Sequence, residues 1–114
     1  MSTRVPFDAY VVALEFARSL REPLIRLRSH DGDLARQVKR AIASVVLNIK
    51  EGNSRVGKDR LHLFRVAAGS AAEIEGALEY VIAIGELNEA TAAPALALAD
   101  RQQAILFRLT NPRR

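Results

Sequence analysis

Lys39-Arg40-Ala41-Ile42-Ala43-Ser44-Val45-Val46-Leu47-Asn48-Ile49-Lys50-Glu51-Gly52 reads as one helix that carries its charge on one side and stops at a glycine. With residues about 100° apart, Leu34, Val38, Ala41, Val45, Ile49 and Gly52 fall on one face, with Asn48 beside them. Arg36, Lys39, Arg40 and Lys50 fall on the opposite face. Ala43, Val46 and Leu47 lie among those charges, and an apolar patch ringed by cations suggests a surface that meets another molecule. One helix thus has two tasks, packing inward and presenting positive charge outward.

The rest of the chain reads as helix too. Alanine, leucine, arginine and glutamate dominate, there is no tryptophan, and no stretch shows the period-2 alternation of a strand. At 114 residues, 49% hydrophobic and 26% charged, the chain is long enough for one domain with a core and too apolar for disorder. Four helices are expected at about 6–28, 33–52, 58–87 and 92–109, joined by short loops, which predicts an antiparallel up-and-down bundle. In the first, Val11, Leu14, Ala17, Leu20, Leu24 and Leu27 keep helical spacing, and Pro23 predicts a kink within a continuous helix. Asp33 and Thr91 are the expected N-caps of the second and fourth helices, Pro94 falls in a tolerant first turn, and Arg113-Arg114 form a basic tail. In the fourth, Leu96, Ala99, Gln103, Leu106 and Leu109 are expected to face inward.

The third helix is apolar around most of its circumference. Phe64, Ala71, Leu78 and Gly85 repeat every seven residues with Ala67, Ile74 and Val81 between them, a coiled-coil-like seam. Leu63, Val66, Ala77 and Ile84 form a second set, and Gly69, Ala72, Gly76 and Ala83 a third stripe of small residues. A four-helix bundle normally leaves each helix one wet face, so this surplus predicts self-association.

Several kinds of chemistry are disfavoured by spacing. Gly52-Asn-Ser-Arg-Val-Gly57-Lys58-Asp59 nearly spells a phosphate-binding loop, but Asp59 replaces the hydroxyl that would hold magnesium, and a helix precedes it in place of a strand. The two histidines, His30 and His62, have no glutamate three residues before them, so the di-iron pattern of helical bundles is missing and no metal or other cofactor is expected. His62, Asp59 and Ser70 fail as a hydrolytic trio, because Asp59 and Ser70 are separated by roughly 16 Å of helix rise. No catalytic residues are assigned. Asn48, Glu51, Ser70, Glu73 and Glu75 read as structural polar groups: Asn48 setting register, the carboxylates pairing with Arg40, Lys50 or Arg65 across helices or subunits.

With no cysteine there is no disulfide framework, and no apolar run approaches the roughly 20 residues of a membrane span. Met1–Pro6 lacks the layout of a secretory signal, so the cytoplasm is the default expectation. The net charge of +4 suits a polyanion partner. Arg36, Lys39, Arg40, Lys50, Arg55, Lys58 and Arg60 are the candidate nucleic-acid contacts, with Arg18, Arg21 and Arg28 on one side of the first helix. Arginine's planar fork suits phosphate, while the few aromatics (Phe7, Tyr10, Phe16, Phe64, Tyr80, Phe107) argue against base stacking. RNA or DNA would be held by its backbone and shape. An interaction scaffold presenting Ala43, Val46 and Leu47 to a protein, without nucleic acid, is the competing reading.

The run from Lys39 to Gly52, then Arg55, then Phe64-Arg-Val-Ala-Ala-Gly-Ser-Ala-Ala-Glu-Ile-Glu75, resembles a bacterial four-helix bundle family. Its members include proteins encoded in intervening sequences of 23S ribosomal RNA genes and the accessory variability proteins of diversity-generating retroelements. The family pattern is, loosely, R-A-x-x-S-I-x-x-N-I-A-E-G, a basic loop, then A-x-G-S-x-x-E-L. Lys50 stands where alanine is usual, and Val46-Leu47 replaces a frequent proline before the Asn-Ile step. The resemblance implies a non-enzymatic bundle that forms homopentamers, with retroelement members binding nucleic acid and a reverse transcriptase.

Overall fold

The backbone between Ser19 and Arg21 breaks the first expected helix in two. The computed structural model describes residues 4–111, with side chains from Asp8 onward; the Phe7 side chain and the Arg113-Arg114 tail lie outside them. Within that range the protein is all-α, with α1 (Arg4–Ser19), α2 (Arg21–His30), α3 (Gly32–Asn53), α4 (Gly57–Ala83) and α5 (Glu89–Thr110). Five helices therefore replace the four expected. The physical cause is Pro23. It has no N–H for the Ser19 carbonyl four residues back, and its ring crowds that carbonyl. The chain tightens just before it: the Leu20 N–H turns back to the Ala17 carbonyl at 3.1 Å, and the Ser19 hydroxyl donates to the Phe16 carbonyl at 2.6 Å.

The inward face of α1 also differs from the expected stripe. Ala9, Val12, Ala13, Phe16 and Leu20 are buried, and Val11 is at the surface. Burying Phe16 or Leu20 contributes about 1.5–3 kcal/mol each, so these residues decide which way the helix faces.

Three other boundaries move for local reasons. Asp31, not Asp33, caps α3, its carboxylate accepting the Leu34 N–H at 3.0 Å. Asn88, not Thr91, caps α5 through the Ala90 N–H at 2.7 Å. This earlier start puts Pro94 beyond the free first turn, where it removes one helical bond on an exposed side. Helix α4 ends at Ala83, short of Leu87, because Gly85 takes a left-handed φ of +80°. The Glu86 N–H then reaches the Val81 carbonyl at 2.9 Å and the Gly85 N–H the Ile82 carbonyl at 3.0 Å, a Schellman ending. Gly85 is thus a cap, outside the seam.

The rest of that seam holds. Phe64, Ala67, Ala71, Ile74, Leu78 and Val81 are all fully buried. They pack against Val38, Ala41, Val45 and Ile49 of α3 and Ala92, Ala95, Ala99 and Leu106 of α5 in one core. Neighbours run α1–α3–α4–α5 and back to α1, with α2 against α3. The long axis is 45 Å, against 21 and 19 Å across.

Polar pins sit within this apolar frame. Ser70 of α4 donates to Ser44 of α3 at 2.8 Å, and Asn48 bonds the same Ser44 hydroxyl and its carbonyl. Gln102, missed by the periodicity, is fully buried, and its Nε2 donates to the Ala9 carbonyl across α5 and α1.

Candidate nucleic-acid interface

Helix α3 presents Arg36, Lys39, Arg40, Ala43, Leu47 and Lys50 to solvent, while Val46 tucks partly against the core. The exposed apolar patch is therefore Ala43 and Leu47, with Leu47 64% exposed. The seven candidate cations split into two groups. Arg36, Lys39 and Arg40 lie near the start of α3; Lys50, Arg55, Lys58 and Arg60 lie around the α3–α4 connection. From Arg40 to Lys50 is about 15 Å of helix.

The cations differ in how far they are already engaged. Arg36 pairs with Asp33 one turn away. Arg55 is held by Glu51 at 2.7 Å and Asp59 at 3.7 Å. Lys50 sits 5.0 Å from the Tyr10 ring centre, and Arg60 5.3 Å from that of Phe64, with a bond to the Arg55 carbonyl at 3.4 Å. These contacts fix side-chain direction and leave N–H groups free for a ligand. Lys39, Arg40 and Lys58 have no ion-pair partner among the described residues. Exposed pairs of this kind contribute at most about 1 kcal/mol, so phosphate can displace them.

The structural polar residues behave differently from expectation. Glu51 pairs with Arg55, and Glu75 accepts from Gln103 of α5 at 2.9 Å. Neither meets Arg40, Lys50 or Arg65; Arg65 donates to the Thr110 carbonyl at 3.3 Å. Glu73 is exposed, with no ion-pair partner among the described residues. Among the described residues, Glu73 and Glu75 of α4 make no ion pair with the cations of α3.

Gly52 lies inside α3 and is not its stop. A methyl group there would sit 2.6 Å from the Phe64 ring. Two helices approach closely at this point, which positions the connection carrying Arg55, Lys58 and Arg60.

One feature was missed in the sequence. Arg21 and Arg28 of α2 face Arg36 and Lys39 of α3 across a groove of about 410 Å³, floored by Leu24, Ile25 and Ala35. The cations of two helices that seemed unrelated form one rim.

A family model described as the 23S rRNA-intervening sequence protein matches residues 7–108. The chain belongs to that family. Nothing matches it among curated proteins or solved structures. The match runs from the first turns of α1 almost to the end of α5, so it takes in both cation groups and the α2–α3 groove. Among the described residues, no helix is long and apolar enough to cross a membrane, and no cluster of three metal-ligating side chains occurs.

Proposed function

We propose that this chain is a non-enzymatic, cytoplasmic accessory protein that assembles as a homopentamer and binds nucleic acid through phosphate contacts. Each protomer acts as a four-armed bundle in which α1 and α2 are the two segments of one broken arm. Arg36, Lys39, Arg40, Lys50, Arg55, Lys58 and Arg60 supply the contacts, and repetition around the assembly multiplies a modest +4. The observation that carries this reading is the exposed cationic face of α3, continued by Lys58 at the start of α4, with Arg40, Lys50 and Lys58 free of ion pairs among the described residues. Membership of a family described by ribosomal RNA intervening sequences supports RNA as the ligand; a reverse transcriptase or another protein as a further partner rests on the resemblance to retroelement accessory proteins alone.

The exposed small residues of α4 support self-association, since Gly69 and Gly76 have open space where a side chain would be. Exposed Leu47 favours a second reading, an oligomeric scaffold whose Ala43–Leu47 patch takes a protein partner without nucleic acid.

The test replaces Lys50, Lys58 and Arg60 by glutamate and follows binding of an RNA and of a DNA oligonucleotide by fluorescence anisotropy. Binding is expected to vanish while helix content and particle mass stay unchanged, and wild-type binding to weaken steeply with salt. Retained binding by the folded variant would remove the phosphate reading and leave the scaffold.

A further inference from the structure

We propose that the groove between α2 and α3 receives the exposed face of α4 from a second copy of this chain, joining protomers head to tail. This rests on the homo-oligomer reading and assigns the two surfaces that meet.

The groove sets the chemistry of its occupant. Arg21 and Arg28 form one wall, Arg36 and Lys39 the other, Leu24 and Ile25 the floor, and no carboxylate lines it. Only Arg36 has an ion-pair partner among the described residues. Ile25 is 56% exposed. An apolar floor gives a phosphate chain no advantage; it rewards apolar side chains flanked by carboxylates. The occupant is acidic and amphipathic.

Such a surface exists on α4. From Val66 to Asp100 the chain has no lysine, arginine or histidine, but six carboxylates. Two of these, Glu73 and Glu79, flank exposed Gly76 and Tyr80 on the outward face of α4. Tyr80 is 56% exposed and Ile84, just past the end of α4, 48%, a large apolar commitment to solvent. Tyrosine is enriched where proteins meet, and charged residues belong at the rim of such contacts.

The two surfaces lie at one level along the protomer. The Ser44–Ser70 bond sets α3 against α4, and Tyr80 lines one depression with Arg36 and Arg40. They lie on either side of Arg36, since α3 lies between α2 and α4. A surface that meets a different surface on the next copy makes a heterologous contact, which closes as a ring when it has no step along the axis and its rotation divides a full turn. Arg36 and Lys39 then serve the subunit contact in place of phosphate, which narrows the proposed nucleic-acid contacts to Arg40, Lys50, Arg55, Lys58 and Arg60.

The test reads the light-scattering mass of the full chain. Wild type is expected as an oligomer, and Arg21→Glu/Arg28→Glu and Glu73→Arg/Glu79→Arg each as single 12.5 kDa chains with unchanged helix content. Combining all four substitutions restores the oligomer. An oligomeric wild type whose mass survives both charge reversals overturns this contact while sparing the homo-oligomer reading. Failure of the fourfold variant to reassemble overturns the pairing as well. A monomeric wild type overturns both and leaves the groove to an acidic partner of another kind.

Discussion

Gly52 of α3 and Phe64 of α4 approach so closely that a β-carbon on Gly52 would lie 2.6 and 2.8 Å from two atoms of the Phe64 ring. The ring is fully buried among the core side chains. Gly52→Ala is expected to cost about 1–3 kcal/mol, the range for overpacking a filled core. Urea unfolding would show it, and trimming the ring in Gly52→Ala/Phe64→Leu should recover part of that loss. Additive costs in the double variant would mean that the two positions do not press on each other.

The Ser44–Ser70 bond is the polar pin between α3 and α4. Replacing Ser70 by alanine is expected to cost about 0.5–1.5 kcal/mol, the net value of such a bond. In a double-mutant cycle with Ser44→Ala, a coupling of at least about 0.5 kcal/mol is the expected reading. No coupling would make the serines mere small residues at a helix crossing.

Gln102 is buried in full with its Oε1 unpartnered among the described residues. Its Nε2 bond to the Ala9 carbonyl is 3.2 Å long. An unpaired buried oxygen costs about 1–3 kcal/mol, more than that single bond returns. Gln102→Met keeps the shape and removes the oxygen, so its unfolding midpoint in urea should rise. A lower midpoint would show that the amide earns its place in the core.

Gly85 and Gly76 are predicted to respond oppositely to alanine. Gly85 holds φ at +80°, so a side chain there is strained, and the loss is about 1 kcal/mol. Gly76 is an exposed helical position with open space, where alanine gains up to about 1 kcal/mol in the isolated protomer. Thermal unfolding at low protein concentration separates the two; a shift of the same sign in both would contradict the assignment of Gly85 as a cap.

How much of this was legible in the sequence depends on the range of the signal. The α4 seam was, because Phe64, Ala67, Ala71, Ile74, Leu78 and Val81 recur at spacings that only a buried helical stripe satisfies. Gly85 was drawn into that seam because seven-residue spacing alone does not separate a small core residue from a cap. Pro23 marked the right neighbourhood, but whether a proline kinks or splits a helix depends on how its neighbours pack. Gln102 and Gln103 stand side by side, and the inward one is chosen by the rotation of α5, which periodicity leaves loose. The exposed cations of α3 were legible from the helical wheel. Their division into two groups, and the union of Arg36 and Lys39 with Arg21 and Arg28, were not. Those depend on how α2 folds back along α3, which the pattern of neither helix encodes.

Self-assembly and phosphate-mediated binding together define the role proposed for this protein. Its most direct test is the light-scattering mass of the purified chain with an RNA oligonucleotide, at low salt and again at higher salt. The expected result is a particle of five 12.5 kDa chains that gains the mass of bound RNA at low salt and releases it at high salt without falling apart. A particle whose mass ignores RNA at every salt concentration, or a single chain throughout, would contradict it.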